Sequence, residues 1–177
     1  MVQVRSGTSG LRCQSGPVRH DLRPGIIVGD SRTGHTSRFH GIYQILRGIH
    51  FGLIDSLPCQ SDFQLDITPV DYVSDAIVRL AQLDGTANKT FHLTAGPGNT
   101  LSLGELVEIY RPGSIRFSSD HTSNVWRRMA HYLPYVTCPK TFDNSMTRAT
   151  LPELSAPECR EYLPKVVRYA LESGFAS

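Results

Sequence analysis

Leu22-Arg23-Pro24-Gly25-Ile26-Ile27-Val28-Gly29-Asp30-Ser31-Arg32-Thr33-Gly34 is the stretch from which the rest of the chain is read. It has the pattern of a buried strand interrupted by Pro-Gly. Proline offers no ladder donor, so the strand proper is expected to stop at or before Arg23. Ile26-Ile27-Val28 is β-branched and extended, and Gly29 to Gly34 reads as a polar turn. A helix is expected next, from about Thr36 to His50. Phe39, Ile42, Tyr43, Leu46 and Ile49 share one face of it, and Gly48 and Gly52 mark its end.

Residues 51 to 66 read as loop with one short strand. Thr68-Pro69-Val70-Asp71 then reads as a helix start. Thr68 can cap, Pro69 suits the first helical position, and Asp71 can reach back as in a capping box. That helix is expected to reach about Leu83 and to bury Val73, Ala76, Ile77, Leu80 and Ala81. Asp84-Gly85 ends it. Thr90-Phe91-His92-Leu93-Thr94 is a short strand closed by Gly96-Pro97-Gly98-Asn99. Ser102 with Glu105 forms a second box, opening a helix that carries Leu103, Leu106 and Val107. The segment 111–150 is the least regular, with a helix expected around Trp126, Met129, Ala130 and Leu133. Ser155 with Glu158 is a third box, before a helix that turns Leu163, Val166, Val167, Ala170 and Leu171 inward and stops at Gly174. Pro164 implies a kink or a later start. Strands alternate with helices, which predicts an α/β fold. Residues 1–16, rich in Ser, Gly, Arg and Gln, form an irregular lead segment, and 17–177 form the folded domain.

Composition narrows the function. A net charge of +2 among 177 residues is too balanced to imply nucleic acid or an anionic membrane surface. No stretch reaches the roughly 18 apolar residues that span a bilayer, and Met1 to Gly16 has no apolar core of a secretory signal. Cys13, Cys59, Cys138 and Cys159 form no C-x-x-C pair and have no histidines at zinc spacing, so free thiols in a reducing cytoplasm are expected. His35 and His40 are not the i, i+4 pair of a helical metal site.

Three segments carry a family resemblance. Leu22 to Gly34 resembles the "LRPGIVVGDSRTG" segment of extended short-chain dehydrogenase/reductases, in the thioester reductase and male-sterility-type fatty acyl reductase branch. Thr68 to Ile77 resembles that branch's "PVDYVADAI" segment, and Thr90 to Thr94 its "FHLT" strand. Order and separation agree as well. The resemblance covers residues 17 to 110 well and the remainder loosely, through Phe142-Asp143-Asn144 and the last helix. It implies the C-terminal part of a Rossmann-like extended fold: an incomplete parallel sheet with a small substrate-binding region. It implies that Pro24, Gly25 and Ile26 close over the nicotinamide end of NADP or NAD, and that Asp30, Ser31 and Arg32 border the cleft for an acyl thioester. The residues alone also allow plainer readings: a strand-ending turn for Pro24 to Ile26, a solvated turn for Asp30 to Arg32. Asp71 reads better as a charge at a helix N-terminus than as a catalytic carboxylate.

The departures from the family weigh equally. Its Gly-rich dinucleotide turn, G-x-x-G-x-x-G, is not found: Gly7 and Gly10 begin the spacing, but Cys13 stands at the third position and no strand precedes them. Its Tyr-x-x-x-Lys dyad is also missing. The residues four after Tyr43, Tyr72, Tyr110, Tyr132, Tyr135, Tyr162 and Tyr169 are Arg47, Ala76, Ser114, Val136, Pro139, Val166 and Ser173. No catalytic residue and no metal ligand is therefore named. The expectation is a truncated NAD(P)-dependent reductase, inactive alone and completed by a polypeptide carrying the N-terminal half. The alternatives are a non-catalytic binding or interaction module and a pseudogene product. Translating the DNA upstream of Met1 in all frames checks the truncation: dehydrogenase-like coding sequence is expected there, and its absence would contradict it.

Overall fold

The computed structural model describes residues 20–111, 113, 115–118, 127, 138 and 141–176. The lead segment 1–16, Cys13 and the helix expected around Trp126, Met129, Ala130 and Leu133 lie outside the described residues.

The opening segment forms two strands end to end, β1 (Asp21–Pro24) and β2 (Ile26–Val28). Asp21 and Gly25 donate their N–H groups to Lys89 and Leu93 carbonyls, both at 3.2 Å, as β1 pairs in parallel with a later strand, Thr90–Leu93. Ile26 N–H turns instead to the Asp66 carbonyl at 2.8 Å, and β2 pairs in parallel with Ile67–Pro69. The chain thus changes partner between Gly25 and Ile26. The expected stop at Arg23 is corrected: β1 runs through Pro24. Donors toward the Thr90–Leu93 strand come from alternate residues, so the absent N–H of Pro24 falls on the opposite edge and interrupts no bond. β1 is also not buried; Asp21, Arg23 and Pro24 are exposed.

Two short strands, β3 (Ser56–Leu57) and β4 (Gln64–Leu65), follow where one was expected. The Ile67–Pro69 strand is β5, Thr90–Leu93 is β6, Leu101–Ser102 is β7 and Arg116–Phe117 is β8. β3 pairs in parallel with β8, and β4 is antiparallel to β7. The helices are α1 (Ile42–His50), α2 (Val70–Gln82), α3 (Leu103–Tyr110), α4 (Ser145–Thr150) and α5 (Cys159–Glu172).

Two apolar clusters hold these elements. The larger gathers α1, α3 and α5 around Leu57, Leu65, Ile67 and Leu101. The smaller lays Tyr72, Val73, Ala76 and Leu80 of α2 over Phe91 and Leu93 of β6, with Leu151 beside them. The alternation in β6 explains the arrangement: Phe91 and Leu93 are buried and Thr90 is exposed, as in a strand packed on one face.

The helix starts differ from expectation, and in each case a specific contact is the reason. α1 begins at Ile42, not near Thr36, because Gly41 at φ 59° lies outside helical space and Thr36 bonds locally to the Arg38 carbonyl at 3.0 Å. Its apolar face is as expected, and Phe39 reaches the same cluster from the entry loop. α2 has no side-chain cap: Asp71 is held elsewhere, and the buried Thr68 hydroxyl has no partner among the described residues. Tyr72 joins its buried face, while Ile77 and Ala81 are half-buried. The Ser102–Glu105 box forms as expected, with both reciprocal bonds, at 2.9 and 3.1 Å. The Ser155–Glu158 box does not form; Asn99 Oδ1 accepts the Cys159 N–H at 2.8 Å, so a distant side chain caps α5 in its place. α5 starts at Cys159 and continues through Pro164. Leu171 is exposed rather than inward, and Gly174 at φ 59° is the stop.

Leu80 is fully buried beneath β6. Leu80→Ala is expected to cost about 2–5 kcal/mol, measured by chemical denaturation, through lost transfer energy and the cavity left behind.

Candidate functional site

Ligands of open α/β sheets sit outside the carboxyl ends of the strands. Here β1 and β6 run parallel, so that position is the rim formed by Pro24-Gly25-Ile26 and by Thr94-Ala95-Gly96. Pro24 is exposed, and Gly25 and Ile26 are half-buried. The structure gives glycine at position 25 a reason within the protein. A Cβ there would lie 2.7 Å from Asp66 Oδ1 and 2.8 Å from the Asp66 carbonyl oxygen. What approaches Gly25 closely is a protein carboxylate.

Sequence reasoning passed over Asp66. Its Oδ1 accepts the Ala95 N–H at 2.8 Å while its carbonyl accepts Ile26 N–H at 2.8 Å. Burial pushes its pKa up, opposed by N–H donation from Ala95 and Gly96. The following residue is fixed from α5: the Ile67 carbonyl accepts the Tyr162 hydroxyl at 2.8 Å and the Cys159 thiol at 3.4 Å. A lone acid between the apolar Leu65 and Ile67 was the available signal.

The turn after β2 is closed by its own first residue. Asp30 Oδ1 accepts Arg32 N–H at 3.0 Å, Thr33 N–H at 2.9 Å and the Thr33 hydroxyl at 3.0 Å; Oδ2 accepts Arg32 Nη2 at 3.2 Å. Desolvation works against ionisation of Asp30, but the Thr33 and Arg32 donors outweigh it and bring the pKa down to about 2. Ser31 is clasped to α2, its N–H and hydroxyl reaching Asp71 at 2.9 and 2.6 Å. Asp71 is therefore neither a capping-box residue nor a free carboxylate. On the other side Lys165 Nζ donates to the Ser31 carbonyl at 3.4 Å, and Gly34, at φ 77°, lies against the Lys165 backbone where a side chain has no room. The Gly29 N–H donates to the Tyr43 hydroxyl at 2.9 Å, and burial pushes that phenol up to about 12. Asp30, Ser31 and Arg32 are thus brought together, but with unequal freedom. Asp30 and Ser31 are engaged within the protein, whereas the Arg32 side chain is 81% exposed beside Asp30.

Burial pushes the Cys59 thiol up to about 11 and raises that of Cys159 and the Tyr162 phenol. Cys59, Cys138 and Cys159 are free, and no metal-holding cluster is found among the described residues. No helix among the described residues is long and apolar enough to cross a membrane.

These features define an α/β fold with parallel strand pairs, and its likeness is to Rossmann-like folds of the extended dehydrogenase and epimerase type. Residues 20–77 match the family model described as male sterility protein. The solved terminal R domain from the myxalamid PKS-NRPS biosynthetic pathway is similar at 24% identity and a TM-score of 0.66, over 88% of this chain and 44% of that one. A thiolation-reductase di-domain from an archaeal non-ribosomal peptide synthetase is similar at 17% identity and a TM-score of 0.61, over 88% and 36%. The Bordetella bronchiseptica enzyme WbmG, in complex with NAD and UDP, is similar at 14% identity and a TM-score of 0.58, over 92% and 46%. The chain therefore spans less than half the length of these solved chains. No curated protein sequence matches it.

The Asp30 pKa carries a pH prediction. Because the folded-state value, about 2, lies below the ordinary 3.8, the stabilisation is present above about 3.8 and is lost as pH falls through about 2. Asp30→Asn is expected to flatten the pH dependence of the unfolding midpoint between these values, read by circular dichroism; an unchanged slope would contradict the turn-closing role.

Proposed function

We propose that the chain supplies the substrate side of an NAD(P)-dependent reductase of the thioester or fatty-acyl reductase type. The observation that carries this reading is the coincidence of the male-sterility match over residues 20–77 with the rim and clasped turn of the fold. The residues fit one wall of a nicotinamide site. Pro24, Gly25 and Ile26 stand at the strand ends with Pro24 exposed, and Gly25, its Cβ space taken by Asp66, cannot also act as a glycine cradle for a pyrophosphate. When bound, the cofactor supplies a hydride. This chain's own residues hold the rim, keep the turn rigid and present Arg32 toward an anionic part of an acyl thioester such as its phosphate groups.

The proton donor and the Gly-rich turn must come from elsewhere, since no tyrosine here has a lysine four residues on. We assign both to a polypeptide segment carrying the other part of the fold, in the same chain or a partner, and expect no turnover without it. The free edge of β1 is a place for such a segment: β6 is its sole partner among the described strands. A reducing cytoplasm fits the free thiols. The lack of a dyad equally favours a non-catalytic binding module as the second reading.

Calorimetric titration of the chain with NADPH, then with an acyl-CoA, tests the binding role. Binding is expected, and Arg32→Ala should weaken the acyl-CoA about tenfold while leaving NADPH unchanged, the loss of one charge-assisted contact. Absence of binding by both ligands would overturn the proposal.

A further inference from the structure

Asp66 is a group that the proposed function does not absorb. It is a carboxylate with 6% of its surface exposed, and no ion pair involves it among the described residues. An interior carboxylate without a cation costs stability. A stabilising role therefore does not explain an acid at this position.

Its location supplies a reason. The two segments that leave the carboxyl ends of β1 and β6 have few ways to fix their spacing at the rim, because the β1–β6 ladder stops at Pro24 and Leu93, with one more bond from Gly25 N–H to the Leu93 carbonyl. Beyond that point the link is Asp66. Its carbonyl holds Ile26, its Oδ1 holds Ala95, and the carboxylate is in contact with Gly25. The Tyr162 and Cys159 bonds to the Ile67 carbonyl reference this link to α5, so the carboxylate cannot drift with the loops. The Asp66 Oδ1 accepts the Ala95 N–H, and a carboxylate offers acceptors alone at this point, whereas an amide brings an NH2 donor to the same place.

We propose that Asp66 is the positioning residue of the cofactor-side rim: its carboxylate sets the distance between Gly25-Ile26 and Ala95-Gly96, and so the width of the wall offered to the nicotinamide end of a dinucleotide. This rests on the reading of Pro24 to Ile26 as that wall. Asp66 touches no reacting atom in this account; it acts through the backbone it holds.

The test uses the 177-residue chain and its Asp66→Asn and Gly25→Ala variants. Amide hydrogen exchange is read by NMR, together with the thermal midpoint and NADPH affinity. In Asp66→Asn the midpoint is expected to equal or exceed that of the parent, while Ala95 and Ile26 amides exchange about tenfold faster relative to α1 and α5 amides, and NADPH binds about tenfold more weakly. Gly25→Ala pushes on the same carboxylate from the other side, and the double variant should bind no more weakly than the weaker single. Unchanged Ala95 and Ile26 exchange in Asp66→Asn, NADPH affinity equal to the parent's, or a loss of affinity that tracks loss of α1 and α5 protection would each overturn the inference. If the parent chain binds no NADPH, the cofactor reading itself falls. The exchange data then decide alone: joint acceleration of both amides in both variants upholds Asp66 as the rim link, and acceleration of only one removes it.

Discussion

A single dipeptide, Asp66-Ile67, ties the β1–β2 switch to the segment after β6 and to α5. The strand that starts at Asp21 leaves β6 after Gly25 and joins β5 at Ile26, and this change of partner takes place against Asp66. Two backbone segments, at Ile26 and Ala95, and two side chains of α5 converge there. Backbone groups buried at a strand switch must find partners or cost stability, and here a carboxylate, a carbonyl pair, a phenol and a thiol satisfy them.

The turn that follows β2 is rigid for separate reasons. Asp30 closes it from within, Asp71 of α2 clasps Ser31, and Gly34 seats it on the α5 backbone. A turn built this way holds a fixed shape and leaves Arg32 as its projecting charge. Preorganisation of this kind lowers the ordering cost of binding, which suits the substrate side proposed for this turn.

Much of this was legible in the sequence where a local rule decides. Ser102 and Glu105 form their box because both partners lie within one turn of α3, and the Phe39-Ile42-Tyr43-Leu46-Ile49 stripe is buried because periodicity reports a face directly. The failures share one cause, which is long-range competition for a polar group. Asp71 was expected to reach back to its own helix start and is held by Ser31, forty residues away; Asn99 caps α5 in place of Ser155. Pro24 was expected to end a strand, but its missing donor faces the edge that β6 does not use. At Gly25 the close neighbour is Asp66, which no local pattern flags.

In the proposed function this chain forms a wall of a reductase cleft and holds neither the proton donor nor the dinucleotide cradle. Following NADPH absorbance over hours with the purified polypeptide and an acyl-CoA tests that claim most directly. The account predicts no oxidation above the protein-free rate; steady aldehyde or alcohol formation proportional to the concentration of this polypeptide alone would contradict it.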